Sequence, residues 1–337
     1  MNANLECNLS EVDDEVLSLL RCLSCGDQLA DKGSDLQCLG CGRKYSRING
    51  VVRFVSEQQY AANFGFQWHL HARTQLDTEE SKRSEQAFRR RTGFRPEDLA
   101  GKLVLDVGCG MGRFAEVATR WGARVVGIDL SVAAEVAARN LAGRDATMFQ
   151  ADVFHLPFAP ESFDFIYSIG VLHHTPDCER AFKALPGLLK PGGKIAIWLY
   201  SGYNSWYRMS DIYRKVTRRM SPRLLYTLCY GVVPLYGIHR MLRKVPLVGR
   251  SASAGLAYVL PIAFHPDRNW RMLDTFDWYS PWYQSKHTYE EVFRWFESCG
   301  LEDLKVIEQP IAVQGRRPVS VKPALANTAL EVSQCAG

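Results

Sequence analysis

Leu103-Val-Leu-Asp-Val-Gly-Cys-Gly-Met-Gly-Arg-Phe114 decides how this chain folds. Its first five residues form a short, mostly apolar run, the pattern of a strand buried on both faces. Glycines follow at positions 108, 110 and 112, and Phe114 to Arg120 reads as the start of a helix. Strand, glycine turn and helix together open a doubly wound sheet, in which ligands sit at the carboxyl ends of the strands. Glycine there lets the backbone approach the ligand closely. Alone, the spacing also fits an ordinary tight turn. Arg124-Val-Val-Gly-Ile-Asp129 sharpens the reading. It is a second apolar strand ending in a carboxylate, about twenty residues on, a position suited to gripping the two hydroxyls of a ribose.

Leu105-Asp-Val-Gly-Cys-Gly-Met-Gly112 resembles the first motif of the class I S-adenosylmethionine (SAM) methyltransferases. It differs from the dinucleotide pattern G-x-G-x-x-G because the third glycine comes one residue early. Gly127-Ile-Asp-Leu-Ser131 resembles their second motif and Gln150-Ala-Asp-Val153 their third. The segment Phe163 to His174 resembles their fourth strand, and Leu189 to Ile197 the turn and strand after it. The resemblance covers residues 100 to 200, and it implies an α/β fold: a doubly wound, Rossmann-like, seven-stranded sheet with SAM as cofactor. It also implies tasks for single residues. Gly108, Gly110 and Gly112 would let the backbone face the methionine part of SAM, and Asp106 would attract its ammonium. Asp129 would hold the ribose, and Asp152 would accept from the adenine amino group. Leu130 and Val153 would pack on the adenine ring. The other reading of Asp152 is a turn or cap residue.

Composition bounds the rest. The chain has 337 residues, 47% hydrophobic and 23% charged, a globular balance with room for two domains or one large one. No uncharged apolar run reaches the roughly 20 residues of a membrane-spanning helix. Met1 to Asp14 is polar and acidic, unlike a secretory leader. The expectation is a cytoplasmic protein whose ten cysteines stay reduced. No internal repeat is evident.

Cys22-Leu-Ser-Cys25 and Cys38-Leu-Gly-Cys41 are two pairs separated by twelve residues. Each pair can present two thiolates to one metal, and four thiolates make a closed, structural zinc site. The alternative is four unpaired buried cysteines. Arg43 to Phe54 resembles the small zinc-ribbon proteins that accompany some tRNA and protein methyltransferases. A ribbon this small has little core, so the metal supplies much of its folding energy.

The expected order is a zinc ribbon at 1–55, a helical lid or linker at 56–100, and the SAM-binding core at 101–202. A basic, apolar helical insert at 203–272 follows, then the rest of the methyltransferase fold at 273–318 and a disordered tail at 319–337. Asn63-Phe-Gly-Phe-Gln-Trp-His69, with Thr74 to Asp77, resembles a segment preceding the SAM domain in a group of bacterial methyltransferases. Its aromatics, Trp68 among them, either cap the cofactor pocket or dock on the sheet edge. Ser84 to Arg91 reads as an exposed basic helix. The chain returns to the core through the aromatic stretch Asp274 to Gln284. Thr288 and Glu291 then form a capping box for a helix ending at Gly300. Leu304 to Glu308 and Ile311 to Gln314 suit the closing strands.

Leu172-His-His-Thr-Pro-Asp177 ends the fourth strand, where a transferred methyl would emerge. A histidine there can take a proton from the acceptor. The candidates are His173, His174 and His287, in that order, with at most one of the adjacent pair acting and the other shaping the pocket. Trp68, Tyr200, Trp278 and Tyr283 are candidates for the substrate side.

The insert, residues 203–272, carries twelve Lys and Arg against Asp211 and Asp267 alone, a net charge of +10 where the whole chain has +5. Basic plus apolar points to an acceptor that is anionic and greasy, or to a membrane surface. Ordinary helices with a solvated basic side explain it equally well. The leading expectation is therefore methyl transfer to a small or lipid-like, anionic acceptor, with the insert folded over the transfer face. A zinc-ribbon RNA base methyltransferase is the alternative, with nucleic acid the less favoured partner because no RNA module is recognisable. A SAM fold kept only as a binding scaffold is a third class.

Overall fold

A computed structural model describes residues 12–55, 62–203 and 208–319. Eleven strands form one sheet: β1 Leu29–Asp31, β2 Asp35–Cys38, β3 Lys44–Ile48, β4 Val51–Arg53, β5 Leu103–Val107, β6 Arg124–Asp129, β7 Ala146–Gln150, β8 Phe163–Ile169, β9 Leu189–Trp198, β10 Glu302–Val306 and β11 Ala312–Arg316. Their order is β1-β2-β3-β4-β7-β6-β5-β8-β9-β11-β10. From β4 to β9 every neighbour is parallel, and β11 and β10 close that side antiparallel. The chain leaves β5 toward β6 and β7, then crosses to β8 and β9 on the other side. The carboxyl ends of β5 and β8 are therefore the topological switch point, the place where such sheets open a crevice.

The expected count of seven strands is corrected to eleven. Strands β5 to β11 are those seven, and the four ribbon strands extend the same sheet. An uncovered β7 would leave a row of unpaired backbone groups at the edge. Instead β4 pairs with it, Val52 opposite Phe149 and Arg53 opposite Gln150, and the Phe54 N–H donates to the Gln150 carbonyl at 2.8 Å. Arg53 and Asn49 both bond Glu135 on the helix Ala133–Asn140.

Side-chain alternation divides the core. Leu103, Leu105 and Val107 of β5 enter one apolar cluster, which also contains Val16, Leu36, Tyr45 and Phe54 of the ribbon segment. Val104 enters a second cluster on the opposite face, beneath the helix Arg113–Arg120. The ribbon segment thus shares the core of the main sheet.

The insert builds a separate one. Helices Arg208–Thr217, Pro222–Val232, Leu235–Leu242 and Gly249–Val259 lead into Arg268–Tyr279. Leu225, Cys229 and Val233, spaced four apart, pack on Met272, Phe276 and Tyr279. The aromatic return stretch, Asp274 to Gln284, is helical as far as Tyr279. Asp267 caps it by accepting from the Trp270 N–H at 2.8 Å, and its apolar residues recur at helical spacing. This helix runs through position 272, where the sequence placed the return to the core. The helix read from Ser84 to Arg91 as exposed spans Arg83–Thr92, with Ser84, Phe88 and Thr92 buried. The expected capping box of Thr288 and Glu291 is present on the helix Tyr289–Ser298. Apart from Val319, the expected tail lies outside the described residues.

Candidate active site

At the switch point lies a cavity of about 330 Å³. The loop after β5 forms its floor. Gly108, Gly110 and Gly112 all have positive φ, which a side chain disfavours. A Cβ on Gly108 would also stand 2.3 Å from Val171. The Gly108 and Cys109 N–H groups donate to the Ile128 carbonyl at 2.8 and 2.9 Å, tying the loop to β6. Asp129, at the end of β6, accepts from the Gly110 N–H at 3.0 Å and from the Ser131 N–H at 2.8 Å. Burial raises its carboxyl above the ordinary range, so hydroxyl donors from a ligand would be welcome there.

The roof comes from two helices outside the minimal fold. Ala62–Leu70 contributes Phe64, Gln67 and Trp68, and Arg268–Tyr279 contributes Leu273, Asp274, Asp277 and Trp278. The Trp68 indole lies so close to Gly110 that a Cβ there would come within 3.1 Å of it. Beyond β9, Tyr200 donates its hydroxyl proton to Asp277 at 3.0 Å.

The histidines separate clearly. His174 lines the cavity. Its Nδ1 lies 3.0 Å from the Tyr283 carbonyl, which can only accept, so Nδ1 carries the proton and Nε2 keeps a lone pair. Burial lowers its pKa, although the Asp277 charge and the Tyr283 carbonyl oppose this. His173, ranked first from sequence, is not part of the lining. It is fully buried, its ring 4.0 Å from that of Tyr200, and neither ring nitrogen has a hydrogen-bond partner among the described residues. The short 3-10 turn Leu172–His174 aims the second histidine outward and the first inward. His287 is also outside the cavity, with Nε2 2.7 Å from the Ser285 hydroxyl and Nδ1 3.5 Å from Glu291.

Of the other expected site residues, Gly108, Gly110, Asp129, Leu130, Trp68, Tyr200 and Trp278 line the cavity. Gly112 starts the following helix behind it, with the Ala137 backbone 3.3 Å from where its Cβ would be. Asp106 does not reach the cavity. Strand alternation turns it to the Val104 face, beneath the loop, where burial pushes its carboxyl up to about 8, helped by the charge of Asp129. Val153 is buried in the core. Asp152 accepts from the Phe154 N–H at 3.0 Å and borders a neighbouring cavity, which shares Leu130 and is lined by Arg43, Lys44 and Arg53 of the ribbon. Tyr283 offers its carbonyl to His174, and the residue borders a third cavity shared with Arg214 and Arg218. No residue of 208–272 lines the main cavity; the insert packs on the helix Arg268–Tyr279 that roofs it.

Four charged residues in the cavity had no assigned task. Arg113 donates to the Ser84 hydroxyl at 2.9 Å and to Gln75 at 3.2 Å, and burial, then the charge of Arg91, bring its pKa down to about 9. The Arg91 guanidinium lies 4.0 Å from the centre of the Trp198 ring. Asp274, pushed up to about 7 by burial and by Asp277, faces them. The signal was the i,i+3 pair Asp274 and Asp277, carboxylates just beyond the basic insert. Arg113 stood inside the quoted motif itself.

Four sulfurs gather at the other end of the sheet. Those of Cys22, Cys25, Cys38 and Cys41 all lie within 4.8 Å of one another. The two turns match: Gly26 N–H donates to the Cys22 carbonyl at 2.9 Å and Gly42 N–H to the Cys38 carbonyl at 3.1 Å, both glycines with positive φ.

Residues 105–197 match the family described as a methyltransferase domain. Methyltransferase GfsG of Streptomyces halstedii is 39% identical over 29% of this chain and 37% of its own. The ubiquinone biosynthesis O-methyltransferase of Coxiella burnetii is 38% identical over 29% of this chain and 43% of its own. "Probable tRNA methyltransferase 9B" of Mus musculus is 33% identical over 39% of this chain and 30% of its own. The chain thus spans less than half the length of these relatives. Strand order, glycine loop and family match agree, and the chain carries a SAM-dependent methyltransferase domain. No helix among the described residues is long and apolar enough to cross a membrane.

Proposed function

We propose that this protein transfers a methyl group from SAM to a small-molecule acceptor that has an apolar body and an anionic or polar group. The observation that carries the reading is the cavity beside the glycine loop, roofed by Phe64, Trp68 and Trp278 and charged by Arg91 and Arg113. The residues present fit the cofactor: an open glycine loop, a buried Asp129 carboxylate for the ribose and Leu130 for the adenine. When bound, SAM supplies an electrophilic methyl group. The chain's own work is positioning, which carries much of the rate in a direct displacement. His174 Nε2 accepts the acceptor's proton where that proton must leave. Tyr200, held by Asp277, and the two arginines orient the acceptor, while the aromatic roof excludes water.

A second reading, methylation of an RNA base, draws on the neighbouring cavity with its three ribbon cations and on the tRNA-type relative. Methyl label from SAM, followed into the small-molecule and RNA fractions of a cell extract, separates the two. Label only in RNA removes the first reading. For the cofactor site, Asp129→Ala is expected to weaken SAM binding about tenfold or more in calorimetry, because a charge-assisted pair of hydrogen bonds is lost. Unchanged affinity would remove Asp129 from the site.

We also infer that the four thiolates hold zinc. Ligands about 2.3 Å from a tetrahedral zinc stand roughly 3.8 Å apart, and Cys25 and Cys38 are 3.4 Å apart, Cys22 and Cys41 3.6 Å. Metal analysis of protein purified without added zinc tests this, with about one zinc per chain expected.

A further inference from the structure

The helices Leu235–Leu242 and Gly249–Val259 form a hairpin whose turn reads Arg243-Lys-Val-Pro-Leu-Val248. Val245, Leu247 and Val248 are all exposed, and Leu247 has a relative exposure of 101%. Leu247 also sits at φ 63°, the left-handed region that disfavours a branched side chain. Met241, on the last turn before the tip, is 72% exposed. A small domain normally hides such residues, and an apolar group held in water at a fixed place marks an interaction surface.

The charge around the tip is of one sign. Arg240, Arg243, Lys244 and Arg250 are exposed, and none forms an ion pair among the described residues. Between Asp211 and Asp267 the sequence has no carboxylate at all. The hairpin is nevertheless well held. His239 stacks on Phe264 with ring centres 4.0 Å apart and shares a hydrogen bond with the Ser253 hydroxyl. Gly249 lies so close to the Leu242 carbonyl that a Cβ would stand 2.0 Å from it. The tip is therefore a built projection, and it lies outside the residues that line the methyl-transfer cavity.

We propose that this tip docks on an anionic lipid surface. Leu247, Val248 and Val245 enter the boundary between headgroups and acyl chains, and the four flanking cations face lipid phosphates. An interfacial bilayer site uses both halves of the pattern, apolar side chains and a surrounding ring of cations. Nucleic acid would use the cations and leave the leucine and valines in water. This inference stands independently of the acceptor's identity.

The test is co-sedimentation of the full chain with vesicles of phosphatidylcholine alone and of equimolar phosphatidylcholine and phosphatidylglycerol. Binding is expected only to the mixed vesicles and should weaken as salt rises. The double variant Leu247→Asn, Val248→Ser should lower partitioning about tenfold with SAM affinity unchanged. Asparagine tolerates the left-handed backbone better than leucine. A second variant, Arg243→Gln with Lys244→Gln, should lose binding by a similar factor through exposed positions only. Wild-type protein left in the supernatant with mixed vesicles would overturn the proposal. So would apolar variants that bind like wild type, or charge variants that lose binding to polyuridylate but keep binding to vesicles.

Discussion

The ribbon and the insert are both additions to one methyltransferase sheet, and they attach in opposite ways. The ribbon joins through backbone pairing of β4 with β7 and places Leu36, Tyr45 and Phe54 in the core of the enzyme itself. The insert joins through a helix that roofs the cavity, keeps its own small core around Leu225 and Phe276, and leaves Leu224, Leu228, Met241 and Leu247 exposed. A segment that shares a sheet and a core unfolds with them. A segment with a private core can open by itself and has surface to spare for a partner. The ribbon is thus read as part of the scaffold and the insert as an outward-facing attachment.

The largest effect tests the ribbon side. Cys38→Ser removes one of the four thiolates proposed to hold zinc, and closed zinc sites contribute on the order of 10 kcal/mol to the domains they hold. Because the ribbon shares the main core, the expected result is a single thermal transition at a much lower Tm, with loss of metal and of SAM binding together. Two separate transitions, the upper one unchanged, would show that the ribbon is an independent appendage and would erase the contrast with the insert.

The cavity at the switch point supplies the next test. His174→Gln is expected to lower kcat about 100-fold or more for an acceptor that must lose a proton. Burial lowers the His174 pKa from 6.5, and in the proposed role of proton acceptor the neutral imidazole is the active form. Turnover should therefore be flat from neutral pH upward and fall only on the acid side, below 6.5. The same sign holds for stability: a histidine buried neutral costs stability once the unfolded chain takes up the proton, so any loss appears as pH falls. A rate that keeps rising above neutral pH would point to a different base.

Much of this arrangement was legible in the sequence because it is carried by local rules. Gly108, Gly110 and Gly112 announced their turn, Asp129 ended its strand at the expected distance, and the spacing of Cys22, Cys25, Cys38 and Cys41 foretold four sulfurs close together. What stayed hidden depends on direction and on partners far along the chain. Which of His173 and His174 faces the cavity is set by one 3-10 turn. Asp106 faces away because alternation along β5 puts it on the Val104 face. Arg91 and Asp274 meet only because two helices separated in sequence by the whole SAM core reach the same cavity. The pairing of β4 with β7 is of the same kind, since three ribbon residues carry no mark of the strand they will join.

The smallest effects probe the insert, and they come as a pair. Leu225 and Leu224 are neighbours on the helix Pro222–Val232, one buried at 3% exposure and the other exposed at 52%. Leu225→Ala leaves a cavity against Met272 and Phe276, which costs roughly 2–4 kcal/mol. That loss should fall on the insert. Hydrogen exchange should quicken in the helices from 208 to 259 while the amides of β5, β6 and β8 keep their protection, because the insert's apolar cluster is separate from those on the sheet. Leu224→Ser should change stability by no more than about 0.5 kcal/mol, as surface changes usually do. Equal acceleration in the sheet after Leu225→Ala would show that the insert is coupled to the core as tightly as the ribbon. A large loss from Leu224→Ser would show that its exposed leucines are covered in the free protein, leaving less apolar surface for a partner to meet.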